Sequence, residues 1–368
     1  MTINPLRRAL LSAGLALPLT PWAQTPLQPR TLHFPRDHGS HPHTRTEWWY
    51  LTGDARDDRG RAFGFQVTFF RSRVDVAQDL PGRLAARQLL FAHAAITDVQ
   101  AGQLVHDQRI ARWNGEPPPT REGGVWARSD DLQVQLRDWF LQRHADDSYS
   151  TRVQGERLGI ALEVTPRQAI LLQGDAGFSR KGPETGHASF YVSHPQLAVR
   201  GMLRLGNRQH RVQGMAWLDH EWSNTLMPPQ AVGWDWIGMN LDDGSSLTAF
   251  RLRRSDGSAV WAGGSWRTAA GSGQPLAARP FGPDEVRFTA LRHWTSPLTH
   301  ARYPVQWGVE TPAGRYTVRA TVDAQELDSR RSAGTVYWEG LSDLLDARGH
   351  RVGRGYLEMT GYAQALRL

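Results

Sequence analysis

From Thr31 onward, apolar residues recur at every second position, and that spacing admits strands while excluding a helical bundle. Phe63, Phe65, Val67 and Phe69 fall on one face of a strand, with Gly64, Gln66 and Thr68 on the other. Leu132, Val134 and Leu136 alternate with Asp131, Gln133 and Gln135, and Ile160, Leu162 and Val164 with Ala161 and Glu163. Val305, Trp307 and Val309, then Tyr316, Val318 and Ala320, do the same. Turn formers punctuate the runs at Asp58-Arg59-Gly60, Asp242-Asp243-Gly244, Ser255-Asp256-Gly257 and Pro312-Ala313-Gly314. Many short strands at this spacing predict an all-β chain, an antiparallel barrel or sandwich. Short helices are predicted only around Pro81–Phe91 and Leu341–Ala347.

At 368 residues the chain is one large domain or two ordinary ones. A weak internal repeat favours two. Trp49, Gly53, Asp57 and Asp58 match Trp234, Gly238, Asp242 and Asp243 at a constant offset of 185. Gly214, Trp217 and Asp219 echo Gly334, Tyr337 and Glu339 at an offset of 120. Residues 223–232 read as a linker, dividing the mature chain into domains 31–223 and 233–368.

Arg7 and Arg8 precede an apolar stretch from Ala9 to Leu19, too short to span a bilayer. With small Ala23 as a cleavage position, residues 1–23 are expected to be a signal peptide. The mature protein is then periplasmic or secreted, by the Sec or the twin-arginine route. No transmembrane segment is expected in it. The absence of cysteine excludes disulfides, thiolate metal sites and a lipid-anchored cysteine. Formal charge is +7, but the basic residues are scattered, so no nucleic-acid footprint forms. All of them are arginines except Lys181, to which any lysine Schiff-base chemistry would be confined.

Fifteen tryptophans are the compositional oddity, and six of them fall in two ionisable segments. The first runs from His33 to Tyr50 and holds His33, His38, His41, His43, Arg45, Glu47, Trp48 and Trp49. No carboxylate–histidine helix pattern supports a metal there, and none is expected. Arg45 and Glu47, two apart, share a strand face and suit a structural clamp. The second segment holds Trp217, Asp219, His220, Glu221, Trp222, Trp234, Asp235 and Trp236. Alternation puts Trp217, Asp219 and Glu221 on one face, and Leu218, His220 and Trp222 on the other. Such a cluster is either a functional site or a satisfied polar plug at a barrel end.

The run F-P-R-D-H-G-S-H…R-T-E-W-W-Y-L-T-G followed by G-F-Q-V-T-F-F-R resembles the secreted lipocalin-like family of carotenoid 1,2-hydratases and AttH-type proteins. Y-V-S-H (Tyr191 to His194), A-W-L-D-H-E-W, G-W-D-W-I-G and Y-W-E-G (Tyr337 to Gly340) follow in the family's order. The resemblance covers nearly all of the mature chain. It implies two tandem lipocalin-like antiparallel β-barrel domains with few short helices. It also implies, as a partner of AttH-type members, an ABC exporter of the lipoprotein-release type. The hydratases add water across a terminal C=C of an acyclic carotenoid. Their Asp-His-Asn-Trp-Gly-type motif, with catalytic His and Trp, falls on Asp219, His220 and Trp222. Here Glu221 replaces Asn and Ser223-Asn224 replaces Gly, which reads more like the AttH-type branch.

Two functions from different classes follow. In one, the chain is a hydro-lyase acting on a long isoprenoid or lipid, without a cofactor. Asp219 and His220 are then the acid/base pair, Glu221 a second carboxylate, and Trp222, Trp234 and Trp236 the wall facing a carbocation. Trp217, Asp235, Trp48, Trp49 and Glu47 complete the ligand-binding candidates. In the other, the same barrel is a non-catalytic lipid-binding protein or chaperone serving the exporter. A purely structural role is the third reading. The sequence holds no G-x-S-x-G elbow, H-E-x-x-H helix, P-loop or EF-hand loop.

Overall fold

The structure is a computed structural model that describes residues 25–82, 84–116, 124–269 and 278–366. The expected signal peptide at residues 1–23 lies outside them. Thirteen strands form a first antiparallel sheet. They are β1 (Thr46–Asp57), β2 (Ala62–Arg73), β3 (Gln88–Asp98), β4 (Gln103–Trp113), β5 (Val125–Ala127), β6 (Gln133–Leu136) and β7 (Trp139–Arg143). β8 (Tyr149–Gln154), β9 (Leu158–Pro166), β10 (Leu171–Leu172), β11 (Phe178–Arg180), β12 (Ala188–Leu205) and β13 (Arg208–Thr225) complete it. Ten strands form the second: β14 (Gly233–Leu241), β15 (Ser246–Arg253), β16 (Ala259–Arg267), β17 (Ala278–Phe281) and β18 (Arg287–Thr295). β19 (Arg302–Thr311), β20 (Gly314–Ala320), β21 (Glu326–Asp328), β22 (Val336–Leu345) and β23 (Arg351–Met359) follow.

The first sheet runs β4-β3-β2-β1-β13-β12-β9-β8-β7-β6-β5, and it curls until β4 meets β5. The second runs β17-β16-β15-β14-β23-β22-β20-β19-β18. Both place their first strand between its successor and the sheet's last strand. The chain is thus all-β, with two lipocalin-like sheets laid out alike.

The repeat holds at the level of strands and fails at the level of residues. In the β1–β2 turn, the Asp57 amide donates to Arg61 and Gly60 donates back to Asp57. In the β14–β15 turn, Leu241 and Ser245, then Gly244 and Leu241, make the same two bonds. Gly60 and Gly244 both take positive φ, 77° and 87°, which such turns require. These turns match at an offset of 184, not 185, and a one-residue slip on a strand exchanges its faces. Trp49 accordingly packs in the first core, whereas its supposed counterpart Trp234 packs between the sheets. The second echo joins β13 to β22, which hold different places: the strand beside β14 is β23.

Inward alternates fill two cores. Phe63, Phe65, Val67 and Phe69 belong to the first, and Ile237, Val305, Trp307 and Val309 to the second. The outward alternates of the central strands are not wet. Gln66 and Thr68 are 1% and 0% exposed, because the second sheet covers them. Tyr50, Trp217, Trp236, Phe250, Leu341 and Tyr356 form a third apolar cluster between the two sheets.

Neither predicted helix forms among the described residues; the helical turns there are 3-10 segments at Arg36–His38 and Asp75–Ala77. Leu341 to Leu345 lies in β22. Its apolar spacing imitates a helix because the strand has a core on each side. Leu341 packs between the sheets, while Leu344 packs in the second core. In the other segment, residues from Gln88 pair with β2 and β4, and Leu84 is left 84% exposed. Helix propensity there yields to sheet pairing.

Candidate functional site

β13 lies between β1 and β12, so its two faces meet different surroundings. His220 and Trp222 point into the first barrel beside Trp49 and Glu47, their partners across β1. Asp219 and Glu221 point toward the second sheet, opposite Tyr50 and Trp48.

The barrel face is a closed network. Glu47 is clamped by Arg71, its cross-strand partner, at 2.8 Å. Arg45, the partner expected two residues away, is therefore not the source of this clamp. The rings of His41 and His220 reach the same Glu47 oxygen at 2.8 and 3.0 Å. His41 also reaches Asp37 at 3.1 Å. Burial pushes the Glu47 carboxyl up, but Arg71 and the two histidines outweigh it and hold it well below the usual range. Burial pushes His41 down, yet carboxylates on both ring nitrogens outweigh it and raise its pKa, favouring the imidazolium. Burial wins at His220, whose pKa is lowered, and its Nδ1 has no hydrogen-bond partner. Trp222 stacks on His41 at 3.8 Å, and Trp49 on His220 at 4.9 Å. His41, Glu47 and His220 offer ligand atoms within 4.8 Å of one another. Those atoms, however, already share protons, and Arg71 already supplies the positive charge a metal would bring.

The opposite face borders a cavity of about 410 Å³ between the two sheets. Its apolar walls include Trp48, Phe70, Trp234, Trp236, Phe250 and Leu252. Asp219 lies in this wall and accepts hydrogen bonds from Tyr191 (2.7 Å), Ser193 (2.5 Å) and Trp217 (2.7 Å). Burial overrides these donors and pushes its pKa up to about 7. Glu221 accepts from Ser189 and pairs with Lys181 at 2.9 Å.

The second sheet adds two more acids, Glu339 and Glu358, which are direct cross-strand partners on β22 and β23. Burial raises Glu339 well above the carboxylate range, and the neighbouring Glu358 raises it further. Glu358 is pushed up to about 8, again by burial first. Gln66 donates to Glu339 at 2.8 Å, so both sheets hold this pair. Glu358 therefore keeps its proton at neutral pH inside an aromatic cavity, and Asp219 and Glu339 are shifted in the same direction, which is what a general acid needs.

The structure therefore divides the sequence-derived residues. Asp219, Glu221, Trp48, Trp234 and Trp236 share the cavity, and Trp217 supports Asp219 from beside it. Glu47 borders the cavity while its carboxylate is spent on the network behind. His220, Trp222 and Trp49 are not among the cavity's lining residues. Asp235 faces the second core, held by Arg251 at 2.7 Å and Tyr362 at 2.8 Å. Sequence reasoning did not assign Tyr191, Glu339 or Glu358 to the site. The first two sit in Y-V-S-H and Y-W-E-G, but Glu358 is a lone charge between Leu357 and Met359 that reads as solvent-facing.

A profile of the AttH-like family matches residues 25–362. A crystal structure of an AttH protein from Nitrosomonas europaea is 42% identical, with a TM-score of 0.82 over 92% of this chain and 99% of that one. Kievitone hydratase from Nectria haematococca shares the fold at 12% identity, with a TM-score of 0.68 over 93% of this chain and 98% of its own. CghA solved with Sch210972 does so at 14% identity and a TM-score of 0.54, over 87% of this chain and 89% of its own. No curated protein matches the chain.

Proposed function

We propose, on the premise that this chain belongs to the AttH-like family, that the intersheet cavity binds a long apolar isoprenoid or lipid and adds water across one of its C=C bonds. The observation that carries this reading is the set of buried acids without an arginine, Asp219, Glu339 and Glu358, in an aromatic wall. An isolated alkene must first take a proton, and a neutral carboxyl beside it supplies one. General-acid help of this kind is worth about 10²–10⁴-fold. The tertiary carbocation then faces Trp48, Trp234 and Trp236, and an indole face stabilises a nearby cation by about 0.5–2 kcal/mol. Water captures the cation and returns a proton to the carboxylate, which closes the cycle without a cofactor. Asp219 is the acid assigned here, with Tyr191 orienting it. His220, across the sheet, serves the fold. Kievitone hydratase shares this fold, and a hydratase assignment for this chain is consistent with that likeness.

The reading places the protein outside the cytoplasm, exported through residues 1–23. Its test is incubation of the purified protein with acyclic carotenoids and shorter isoprenoid alkenes, followed by mass spectrometry for the gain of one water. Asp219→Asn should abolish the gain while His220→Ala, corrected for folded fraction, should not. Stoichiometric binding with no turnover would instead assign the carrier role, in which an ABC exporter of the lipoprotein-release type is the proposed partner.

A further inference from the structure

The chain has 43 basic residues, and Lys181 is its single lysine. It sits on the wall of the intersheet cavity with its side chain 6% exposed. Its ammonium meets Glu221 at 2.9 Å and lies over the rings of Tyr191 and Phe250, 4.6 and 4.2 Å from their centroids. Glu221 is its one oxygen partner among the described residues. An ammonium carries three N–H donors, and those not spent on Glu221 meet only ring faces, weaker partners that a ligand oxygen can replace.

Its neighbour Arg180 shows what the chain's usual basic residue does. Arg180 bonds the carbonyls of Gly182 and Pro183 and lies over Trp261 at 4.8 Å. Arginine presents a broad planar fork, whereas lysine presents a compact point charge. A chain that places arginine at every other basic position departs from that habit at one buried spot beside Asp219.

We propose that Lys181 is the polar anchor of the cavity, and that the ligand is an apolar molecule carrying a neutral carbonyl oxygen that accepts its free N–H groups. This rests on the reading that the cavity binds an apolar ligand. The ligand's charge follows from the pair. Lys181 and Glu221 together are neutral, so an incoming carboxylate meets repulsion from Glu221 about equal to its attraction to Lys181. The anion's desolvation then stays uncompensated. A ketone, ester or amide oxygen accepts the same donors without adding charge. A plain hydrocarbon leaves them unsatisfied in an apolar wall and binds less tightly than its carbonyl-bearing counterpart.

The test uses three fluorescent probes of one shape: 6-propionyl-2-dimethylaminonaphthalene, the same ring without the propionyl group, and its 6-carboxylate. Wild-type protein should bind the ketone more tightly than either of the others. Lys181→Met should weaken the ketone about tenfold, as for loss of one charged hydrogen bond, and leave the plain naphthylamine within about twofold. That substitution orphans Glu221, so Lys181→Met/Glu221→Gln is measured beside it, and the ketone-selective loss should persist. The native chain gives a mutation-free check. An amine acylating agent can modify only Lys181 and the N-terminus, and the ketone should protect Lys181 while the naphthylamine protects it less. Equal losses for both probes in both variants, or preference for the carboxylate, would overturn the anchor and leave the cavity reading standing. Failure of every probe to bind the wild type would overturn both.

Discussion

Two sets of buried acids lie back to back across the first sheet, and they hold their protons oppositely. On the barrel side Glu47 and Asp37 are kept ionised, against burial, by Arg71, Arg30 and His41. On the cavity side Asp219, Glu339 and Glu358 are pushed up, by burial first, and the groups that shift them are other acids and neutral hydrogen-bond donors. Depth of burial does not separate the two sets, since Glu47, Asp219 and Glu339 are 1%, 3% and 2% exposed. The separating factor is where the cations go. Arginines enter the barrel interiors, as Arg71 does with Glu47 and Arg251 does with Asp235. Arg45, Arg71 and Arg73 also line the cavity, with Arg71 spent on Glu47, and Lys181 is paired with Glu221. A buried acid with a cation is architecture, and one without it is a proton donor.

The contrast breaks first on stability. Arg71→Met leaves the Glu47 charge buried without its arginine, held by His41, His220 and Ser40, and should cost about 3–5 kcal/mol in urea unfolding. Glu339→Gln, equally buried but replacing a neutral group, should cost less than about 1 kcal/mol. Equal losses would show that the two sets do not differ in charge.

Asp219→Asn should then remove about 10²–10⁴-fold of any alkene-hydrating rate, with unfolding changed by about 1 kcal/mol or less. In the wild type that rate should fall as pH rises above about 7, where Asp219 loses its proton. A rate that rises through this range would identify Asp219 as a base.

The pH dependence of stability sharpens the comparison. Glu358 is raised, so the unfolded chain releases its proton first, and the stability it contributes is present below about 4.5 and is lost as pH rises toward about 8. Glu358→Gln should flatten that decline, by less than the one-proton limit of about 1.4 kcal/mol per pH unit. Glu47 and Asp37 are lowered, so their contribution is present above the ordinary carboxylate range and is lost as pH falls below it. Urea midpoints from about pH 2 to about pH 9 in the wild type and in Glu358→Gln would separate the two windows.

The smallest effect is at Tyr191, whose hydroxyl donates to Asp219 and accepts from the indole N–H of Trp236 at 2.9 Å. Tyr191→Phe removes a donor that favours the carboxylate, so Asp219 should move further up and the high-pH limb of the rate with it, by less than about one unit. A downward move would mean that the hydroxyl bonds the protonated acid.

Much of this was legible in the sequence, unevenly. Alternation in Phe63–Phe69 and in Trp217–Trp222 correctly assigned each side chain to a face. It also grouped Asp219 with Glu221 and His220 with Trp222. What alternation could not say was which face served as the site. His220 looked catalytic because it sits among indoles and carboxylates, but its Nε2 is bonded to Glu47 and its ring packs on His41 and Trp222 inside the barrel, away from the cavity. Glu339 stood in the sequence only as the echo of Asp219 and within Y-W-E-G, and Glu358 in no motif, so neither was assigned to the site.

The sequence by itself determined the strands, the turns and the sharing of faces, because those follow from backbone geometry over two to five residues. The tertiary structure alone decided that the outer face of each central sheet is dry. It decided also that four acids from strands more than 100 residues apart, Asp219 and Glu221 with Glu339 and Glu358, line one cavity. Protonation follows from that placement, because a carboxyl's pKa depends on what surrounds it, and here the surroundings are supplied by the other half of the chain.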